Sequence, residues 1–206
     1  MAKSKSSGRW LQEHFDDEYV KRSKKEGFRS RAVYKLMEIN EKDKILKPGS
    51  VAVDLGAAPG GWSQYIVKAV GEKGKVFALD ILPFDSIAGV ECIVGDFTEN
   101  EVYENLLAQL DGQKVDVVLS DLAPNLSGIK VVDQAKMVYL LELALDFAEQ
   151  VLTKNGVFLA KLFQGEGVDE FYRKVRPKFE KVVTRKPKAS RSRSREVYIL
   201  AKGYKL

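Results

Sequence analysis

The sequence predicts an α/β fold in which a mostly parallel sheet is covered by helices on both faces. Five strand-length runs are apolar at successive positions, and they read SVAVDLGA, KVFALDIL, VECIVGDF, VDVVLSDLA and GVFLAKLF. Helical patterns lie between several of them, near residues 61–71, 99–110 and 133–153. Strands that are apolar on successive residues are typical of a parallel sheet buried on both sides, and alternation of strand with helix produces such a sheet.

Two further elements flank this alternating core. Ahead of the first strand, SRAVYKLMEIN is amphipathic, because Val33, Leu36, Met37 and Asn40 recur at helical spacing. Lys47-Pro48-Gly49 then marks where the first strand begins. Near the end of the chain, KVVTRKP and REVYILAKGY follow each other with no helical pattern between them. This order predicts an antiparallel hairpin at one edge of the sheet.

Length and composition favour a single domain. A chain of 206 residues has an ordinary domain size, and its 45% of hydrophobic residues can build a core. We assign residues 1–47 to a basic helical extension and residues 48–206 to the core, in which residues 173–195 are strongly basic. The apolar runs have strand length, and the opening MAKSKSSGRW lacks the apolar stretch of a secretory signal. We therefore expect a soluble, cytoplasmic monomer without a membrane partner.

The sequence contains one cysteine, Cys92, and one histidine, His14. An intrachain disulfide and a zinc site of Cys and His ligands are therefore excluded, and a histidine-based nucleophile triad is disfavoured. Chemistry in this chain must use carboxylates, amines and backbone groups.

The net charge of +5 conceals a segregation of charge along the chain. Residues 1–47 have 13 basic and 8 acidic side chains, residues 48–172 have 8 and 19, and residues 173–206 have 13 and 2. Arginine is absent from the acidic middle segment. Basic runs are often only solvated surface, but arginine concentrated at both ends favours a polyanion partner, and nucleic acid over membrane.

Polar residues stand at the carboxyl ends of the predicted parallel strands. Asp54, Asp80, Asp96 and Asp121 end the first four strands, and Lys161 lies late in the fifth. A single aspartate at such a place commonly caps a turn or a helix. Ligands of open α/β sheets bind beyond these strand ends, so four aspartates in register predict a ligand site.

The turn between the first strand and its helix, DLGAAPGGWSQ, consists mostly of small residues. Residues 56–63 have the spacing of a triphosphate-binding loop, but Trp62 occupies the lysine position and the surrounding carboxylates repel phosphate. The dinucleotide fingerprint is matched only in part, over Gly56, Ala58 and Gly61, and a dinucleotide remains an alternative. Carboxylates suit a cationic nucleoside, and S-adenosylmethionine is one; the loop at Gly56 would admit its methionine part.

Seven motifs are spread along the chain, and they read GFRSRAVYKL, DLGAAPGGWSQ, LDILP, GDF, LSDLAPNLSG, LAKLFQG and SREVYILAKGY. Together they resemble the FtsJ/RrmJ family of ribosomal RNA large-subunit ribose 2′-O-methyltransferases, and the resemblance covers nearly the whole chain. The resemblance implies a Rossmann-like class I methyltransferase fold with seven strands and an antiparallel edge strand. It implies S-adenosyl-L-methionine as cofactor and a uridine ribose of large-subunit (23S) ribosomal RNA as acceptor, at a late stage of ribosome assembly.

The resemblance also assigns roles to residues. The family's catalytic lysine, aspartate, lysine and glutamate correspond to Lys35, Asp121, Lys161 and Glu196. The expected cofactor-binding positions are, in chain order, Asp54, Gly56, Gly60, Trp62, Asp80, Asp96 and Asp121. Taken alone, Trp62 has the pattern of a packing residue, and an isolated Lys35 or Glu196 that of a solvated charge.

The chemistry of the acceptor leaves two roles open for Lys161. A buried amine is driven towards its neutral form, in which it could take the proton of a 2′-hydroxyl, with Asp121 orienting it. Alternatively, Lys161 stays charged and only positions the hydroxyl. A 2′-hydroxyl requires RNA rather than DNA, and residues 30–40 and 173–195 are predicted to line one RNA-binding face. Transfer RNA as substrate, a non-catalytic RNA-binding assembly factor and a dinucleotide-dependent oxidoreductase remain alternatives.

Overall fold

The computed structural model describes residues 17–191 and 193–206. His14 and the first part of the predicted basic extension lie outside the described residues. The described helices and strands, in chain order, are α1 (Glu18–Glu26), α2 (Val33–Asp43), β1 (Val51–Leu55), α3 (Gly61–Val70), β2 (Lys75–Asp80), β3 (Val90–Val94), α4 (Asn100–Leu110), β4 (Val115–Ser120), α5 (Lys130–Val151), β5 (Leu152–Phe163), α6 (Val168–Val175), a 3-10 turn (Arg176–Lys178), β6 (Phe179–Arg185) and β7 (Glu196–Tyr204).

The strands form one mixed sheet in the order β3-β2-β1-β4-β5-β7-β6. Strands β1 to β5 pair in parallel, while β7 runs antiparallel to both of its neighbours, β5 and β6. The predicted α/β class and the antiparallel hairpin at the sheet edge are confirmed, with β6 outermost. No helix in the described ranges is long and apolar enough to cross a bilayer.

Helices cover the sheet on both faces, as the continuously apolar strands indicate. On one face, α2 and α3 pack through residues such as Leu36, Trp62 and Ile66. On the other face, α4, α5 and α6 pack in a second cluster that includes Phe147 and Phe171. Every residue of β1 is buried, because this strand lies near the centre of the sheet with helices above and below.

Two helices, α1 and α6, are absent from the sequence-based prediction. Helix α1 reads EYVKRSKKE and buries only Val20 and Ser23. Helix α6 has eight residues and buries Val168, Phe171 and Val175. Helix α1 carries too few apolar positions for a helical period to stand out, whereas α6 has apolar residues at helical spacing but over only eight residues.

The prediction that residues 173–195 line one face together with residues 30–40 is wrong for the first part of that segment. Lys174 pairs with Glu142 and Lys178 with Glu149, so both lysines lie against α5, on the sheet face opposite α2. The later part of the segment does reach α2, through the Arg185 side chain, which donates to Asp43, and through the backbone amide of Lys188, which donates to Glu38. The chain crosses from one layer to the other through β6, which periodicity alone does not reveal.

Candidate active site

The predicted site residues gather where the sheet reverses its strand order. Strands β1 and β4 are neighbours, while β2 and β5 extend the sheet in opposite directions. Side chains alternate between the two faces along a strand. Asp54, Asp80, Asp121 and Lys161 each lie an even number of residues from a strand residue that packs against α2 and α3, so all four belong to that face of the sheet. Such a reversal opens a crevice at the carboxyl ends of the strands.

A cleft of about 660 Å³ occupies this crevice. Its lining includes Gly56, Asp80, Asp96, Asp121 and Lys161, all predicted from the sequence. The volume falls in the range of small-molecule sites, roughly 300–1,000 Å³. Three carboxylates along one cleft favour a ligand that carries positive charge.

Glycine is required at two positions of the turn above β1. Gly56 has φ of 82°, and an added Cβ would lie 2.7 Å from the backbone nitrogen of Leu122. Gly60 has φ of 106°, and its Cβ would lie 2.8 Å from Ile87 and 2.9 Å from Arg29. Gly56 thus lets the turn approach the loop after β4 at the floor of the cleft, whereas Gly60 shapes the start of α3 and does not line the cleft.

Asp54 lies beneath this turn and is fully buried. Its Oδ2 accepts a 2.6 Å hydrogen bond from the Ser63 hydroxyl, while Oδ1 has no partner. Burial raises the pKa of Asp54 to about 7, and the charges of Asp121 and Asp80 act in the same direction against the Ser63 hydroxyl. Asp54 is therefore an acidic support under the cleft that a nearby cation would help to ionise.

Asp80 and Asp96 connect the cleft wall to the backbone. Asp80 Oδ2 accepts the amide of Ala58 at 2.8 Å and Oδ1 accepts the amide of Leu82 at the same distance, which ties the glycine turn to the end of β2. Asp96 Oδ1 accepts the amide and the hydroxyl of Thr98. Both carboxylates are thereby held in fixed orientations towards the cleft.

Lys161 and Asp121 form the deepest charged contact of the cleft. The buried Lys161 Nζ donates to the Asp121 carbonyl at 2.6 Å and lies 3.3 Å from Asp121 Oδ1. The same Oδ1 accepts the Tyr198 hydroxyl at 3.0 Å. The Tyr198 pKa is raised well above 10, first by burial and then by the charge of Asp121, so its hydroxyl remains a donor.

Lys35 and Glu196 form a second pair beside the first. Lys35 Nζ lies 2.7 Å from Glu196 Oε1 and 2.9 Å from Oε2, and the Ser190 hydroxyl donates to Oε1 at 2.8 Å. Burial pushes the pKa of Glu196 up, but the Lys35 ammonium and the Ser190 hydroxyl outweigh it and hold the pKa below its usual range. Glu196 is therefore a carboxylate at neutral pH.

Tyr198 joins the two pairs. Antiparallel register sets Lys161 opposite Tyr198 and Phe163 opposite Glu196, so all four side chains share one face of the sheet. The Lys35 ammonium lies 6.0 Å from the centre of the Tyr198 ring. The Trp62 ring packs 5.8 Å from the Tyr198 ring and its Nε1 donates to the Ala32 carbonyl, so the Trp62 side chain supports the site from below and does not line the cleft.

The sequence analysis did not identify Tyr198, Ser63 or Ser190 as site residues. One signal existed for Tyr198, because a residue two positions from Glu196 on a strand must share its face. Ser63 lies in the first turn of α3, nine residues after Asp54, and Ser190 lies in an irregular loop. Neither position in the sequence predicts a contact with a carboxylate.

The chain is similar in sequence and in fold to known methyltransferases. A sequence profile of the FtsJ-like methyltransferase family matches residues 28–204. The chain is 60% identical over 206 residues, and all of both chains, to the ribosomal RNA large subunit methyltransferase E of Marinobacter nauticus. It is 59% identical to the protein of that name from Chromohalobacter salexigens, over 98% of this chain and 96% of the relative. A Plasmodium falciparum crystal structure described as a ribosomal RNA methyltransferase superposes with a TM-score of 0.76 at 30% identity, covering 86% of this chain and 98% of that one.

Proposed function

The chain belongs to the FtsJ-like methyltransferase family, and from that premise we propose that it transfers a methyl group from S-adenosyl-L-methionine to a ribose 2′-oxygen of a large-subunit ribosomal RNA uridine. The observation that carries the proposal is the convergence of Lys35, Asp121, Lys161 and Glu196. These residues come from four separate segments and form two adjoining ion pairs at the edge of the cleft. Membership in a methyltransferase family leaves the oxidoreductase alternative without support.

The cleft fits the cofactor of this proposal. When bound, S-adenosyl-L-methionine supplies a methyl carbon attached to a positively charged sulfur. Asp80, Asp96 and Asp121 provide acceptors and negative charge for a nucleoside of this kind, and Gly56, which lets the turn approach the backbone of Leu122, lines the same cleft. The unpartnered, buried Oδ1 of Asp54 adds negative charge beneath the same turn once the carboxyl ionises.

The contacts of Lys161 define what it can do for the acceptor hydroxyl, which has to lose its proton when its oxygen takes the methyl group. A neutral amine has two N–H donors and one lone pair. The carbonyl oxygen and Oδ1 of Asp121 would engage both donors, so the lone pair would face away from Asp121, towards the open cleft. An ammonium in the same place has one further donor, which could hold the hydroxyl oxygen without accepting its proton.

Lys35 and Glu196 balance each other and flank this amine. Glu196 neutralises Lys35, so the four side chains carry no net charge when Lys161 is an ammonium and one negative charge, that of Asp121, when Lys161 is a neutral amine. A cationic cofactor brought near Lys161 then favours the neutral amine. The pair also forms one wall of a smaller recess of about 240 Å³ that includes Arg31, Arg191 and Ser194, where an RNA phosphate beside the target ribose would find cations.

Ribosomal RNA of the large subunit is proposed as the substrate because the curated relatives carry that substrate in their names. The basic side chains beside the recess supply the electrostatic attraction that any RNA substrate requires. Modification of a uridine, and action late in ribosome assembly, belong to the same proposal.

The test is transfer of a labelled methyl group from S-adenosyl-L-methionine to unmodified large ribosomal subunits, followed by nuclease digestion and mapping of the labelled nucleoside. We expect one labelled 2′-O-methyluridine with wild-type protein, and a loss of at least 100-fold in rate for Lys161→Ala with cofactor affinity retained. If the labelled methyl groups appear on transfer RNA instead, transfer RNA is the substrate. RNA binding without transfer would indicate a non-catalytic assembly factor.

A further inference from the structure

A second, strongly basic cleft lies at the opposite end of the strands. It has a volume of about 480 Å³. Its lining comes from the residues that follow α2, the beginning of β6, the end of β7 and residues 153–157. Five lysines line it: Lys44, Lys47, Lys154, Lys181 and Lys202. From Glu196 to Lys202 along β7 the chain rises by about 20 Å, so this cleft is well separated from the proposed reaction centre.

The acidic residues of this cleft do not neutralise it. Asp116 and Glu180 are the acidic side chains in its lining, and Asp116 Oδ2 already accepts the amide of Val51 at 2.8 Å. Lys202 donates to the Asp43 carbonyl and has a structural role. The formal charge of the lining is thus +3, which favours an anionic occupant.

Four of the five lysines are available to such an occupant. Within residues 17–191 and 193–206, the ammonium groups of Lys44, Lys47, Lys154 and Lys181 make no hydrogen bond or ion pair. Lys181 is paired in register with Lys202 across the β6 and β7 ladder, which sets two like charges side by side. Such a placement is unfavourable without an anion, because directly opposed like charges repel.

We propose that this lysine cleft binds the phosphate backbone of the RNA substrate at a point remote from the methylated nucleotide. The inference rests on the proposed function, which supplies a large polyanion as substrate. Helix α2 and the β6–β7 hairpin both run from the reaction centre to the cleft, with Lys35 and Glu196 at one end and Lys44 and Lys202 at the other. An RNA lying along this layer would reach both ends at once, and each lysine would displace a counterion from a phosphate.

The test compares two triple variants of equal charge. Lys44→Gln, Lys154→Gln and Lys181→Gln remove three unpartnered lysines of the cleft. Lys73→Gln, Lys75→Gln and Lys114→Gln remove three exposed lysines at the same end of the strands but outside the cleft. Binding of unmodified large-subunit ribosomal RNA is measured as a function of salt. We expect the cleft variant to lose at least tenfold in affinity near ~0.1 M salt and the slope of log K against log salt to fall by about 2 to 3, while the control changes by less than about twofold.

The outcomes separate this inference from the proposed function. The cleft variant should keep the wild-type single-turnover rate at saturating RNA, because its substitutions do not touch the reaction centre. If wild-type protein transfers methyl groups and both variants bind RNA alike, the cleft has no RNA role and the inference is overturned. Inorganic phosphate that binds the wild type but not the cleft variant, without a change in the RNA salt slope, identifies a small-anion site and also overturns it.

Discussion

The contacts of Lys161 make its role as base testable by substitution. Both N–H donors of its neutral amine have acceptors on Asp121, an arrangement that leaves the lone pair for the substrate. If Lys161 is the base, transfer needs an amine at this position that can take up the proton of the 2′-hydroxyl. Lys161→Arg keeps a cation but cannot release its proton near neutral pH, so its rate should fall about 100-fold or more.

The opposite outcome would assign Lys161 a positioning role. If Lys161→Arg retains a substantial part of the rate, Lys161 acts by positioning the hydroxyl and not as its base. Cofactor affinity, measured by calorimetry on both proteins, serves as the control for an intact cleft.

Asp54 should make the stability of the ligand-free protein fall as pH rises. Its pKa is raised to about 7, so between pH ~4 and ~7 the unfolded chain loses a proton that the folded protein keeps. The free energy of unfolding then decreases across this window, by an amount on the order of 4 kcal/mol, and the loss persists above it. Asp54→Asn should remove this contribution, which denaturant unfolding at pH 5 and pH 8 can measure. An equal pH dependence in both proteins would show that Asp54 is ionised throughout.

At the scale of elements, α2 depends on a clamp to the edge of the sheet. Arg185 on β6 donates from Nε and Nη2 to the two carboxylate oxygens of Asp43, both at 2.7 Å, and Lys202 donates to the Asp43 carbonyl. The Arg185 guanidinium lowers the pKa of Asp43 against the effect of burial. The same helix carries Lys35, eight residues before Asp43.

Arg185→Gln should therefore lower the free energy of unfolding by about 2 kcal/mol at pH 7. A lowered carboxylate pKa contributes stability above the unfolded value of about 3.9, and that stability disappears as pH falls through the folded pKa. The difference between wild type and variant should thus shrink below pH ~4. A double-mutant cycle with Asp43→Asn isolates the pair, and a coupling energy near zero would contradict the clamp.

Elements with a strong period could be predicted from the sequence, and contacts made by loops could not. The seven strands were predictable because they are continuously apolar or bounded by turn residues, and the strand-end positions of Asp80, Asp121 and Lys161 followed from them. The family resemblance was needed for Lys35 and Glu196, whose contact joins residues 161 positions apart. The Lys161 contact to the Asp121 carbonyl depends on the path of the chain after β4, which no residue type specifies.

At the scale of the whole molecule, charge is separated by layer as well as by sequence. The acidic middle of the chain supplies the cleft carboxylates Asp80, Asp96 and Asp121. Several of the terminal cations are used internally, as in the pairs of Lys174 with Glu142 and Lys178 with Glu149 on the α5 side. The loop of residues 186–195 and the lysine cleft, both on the α2 side, are the basic regions that we propose for RNA contact. Net charge by segment therefore overstates the number of phosphate contacts.

Two lysines of the 186–195 loop should separate structural from RNA-binding roles. Lys186 Nζ donates to the carbonyls of Ser194 and Glu196, each at 2.6 Å, and so closes the loop that precedes β7. Lys188 is exposed, and within the described residues only its backbone amide is engaged, by Glu38 at 2.7 Å. Lys186→Gln should lower the melting temperature and the transfer rate, because it releases the backbone of Glu196. Lys188→Gln should leave melting unchanged and reduce the salt slope of RNA binding by about 1.

The two substitutions serve as each other's control, since they remove the same charge two residues apart in one loop. Melting curves, RNA affinity across a salt series and single-turnover rates distinguish them. If both variants lose RNA affinity equally and melt like the wild type, the hydrogen bonds of Lys186 contribute nothing to the loop and the lysines act only through their charge. If neither changes the salt slope, RNA does not approach the reaction centre over this loop, and the path of the backbone must lie elsewhere on the α2 layer.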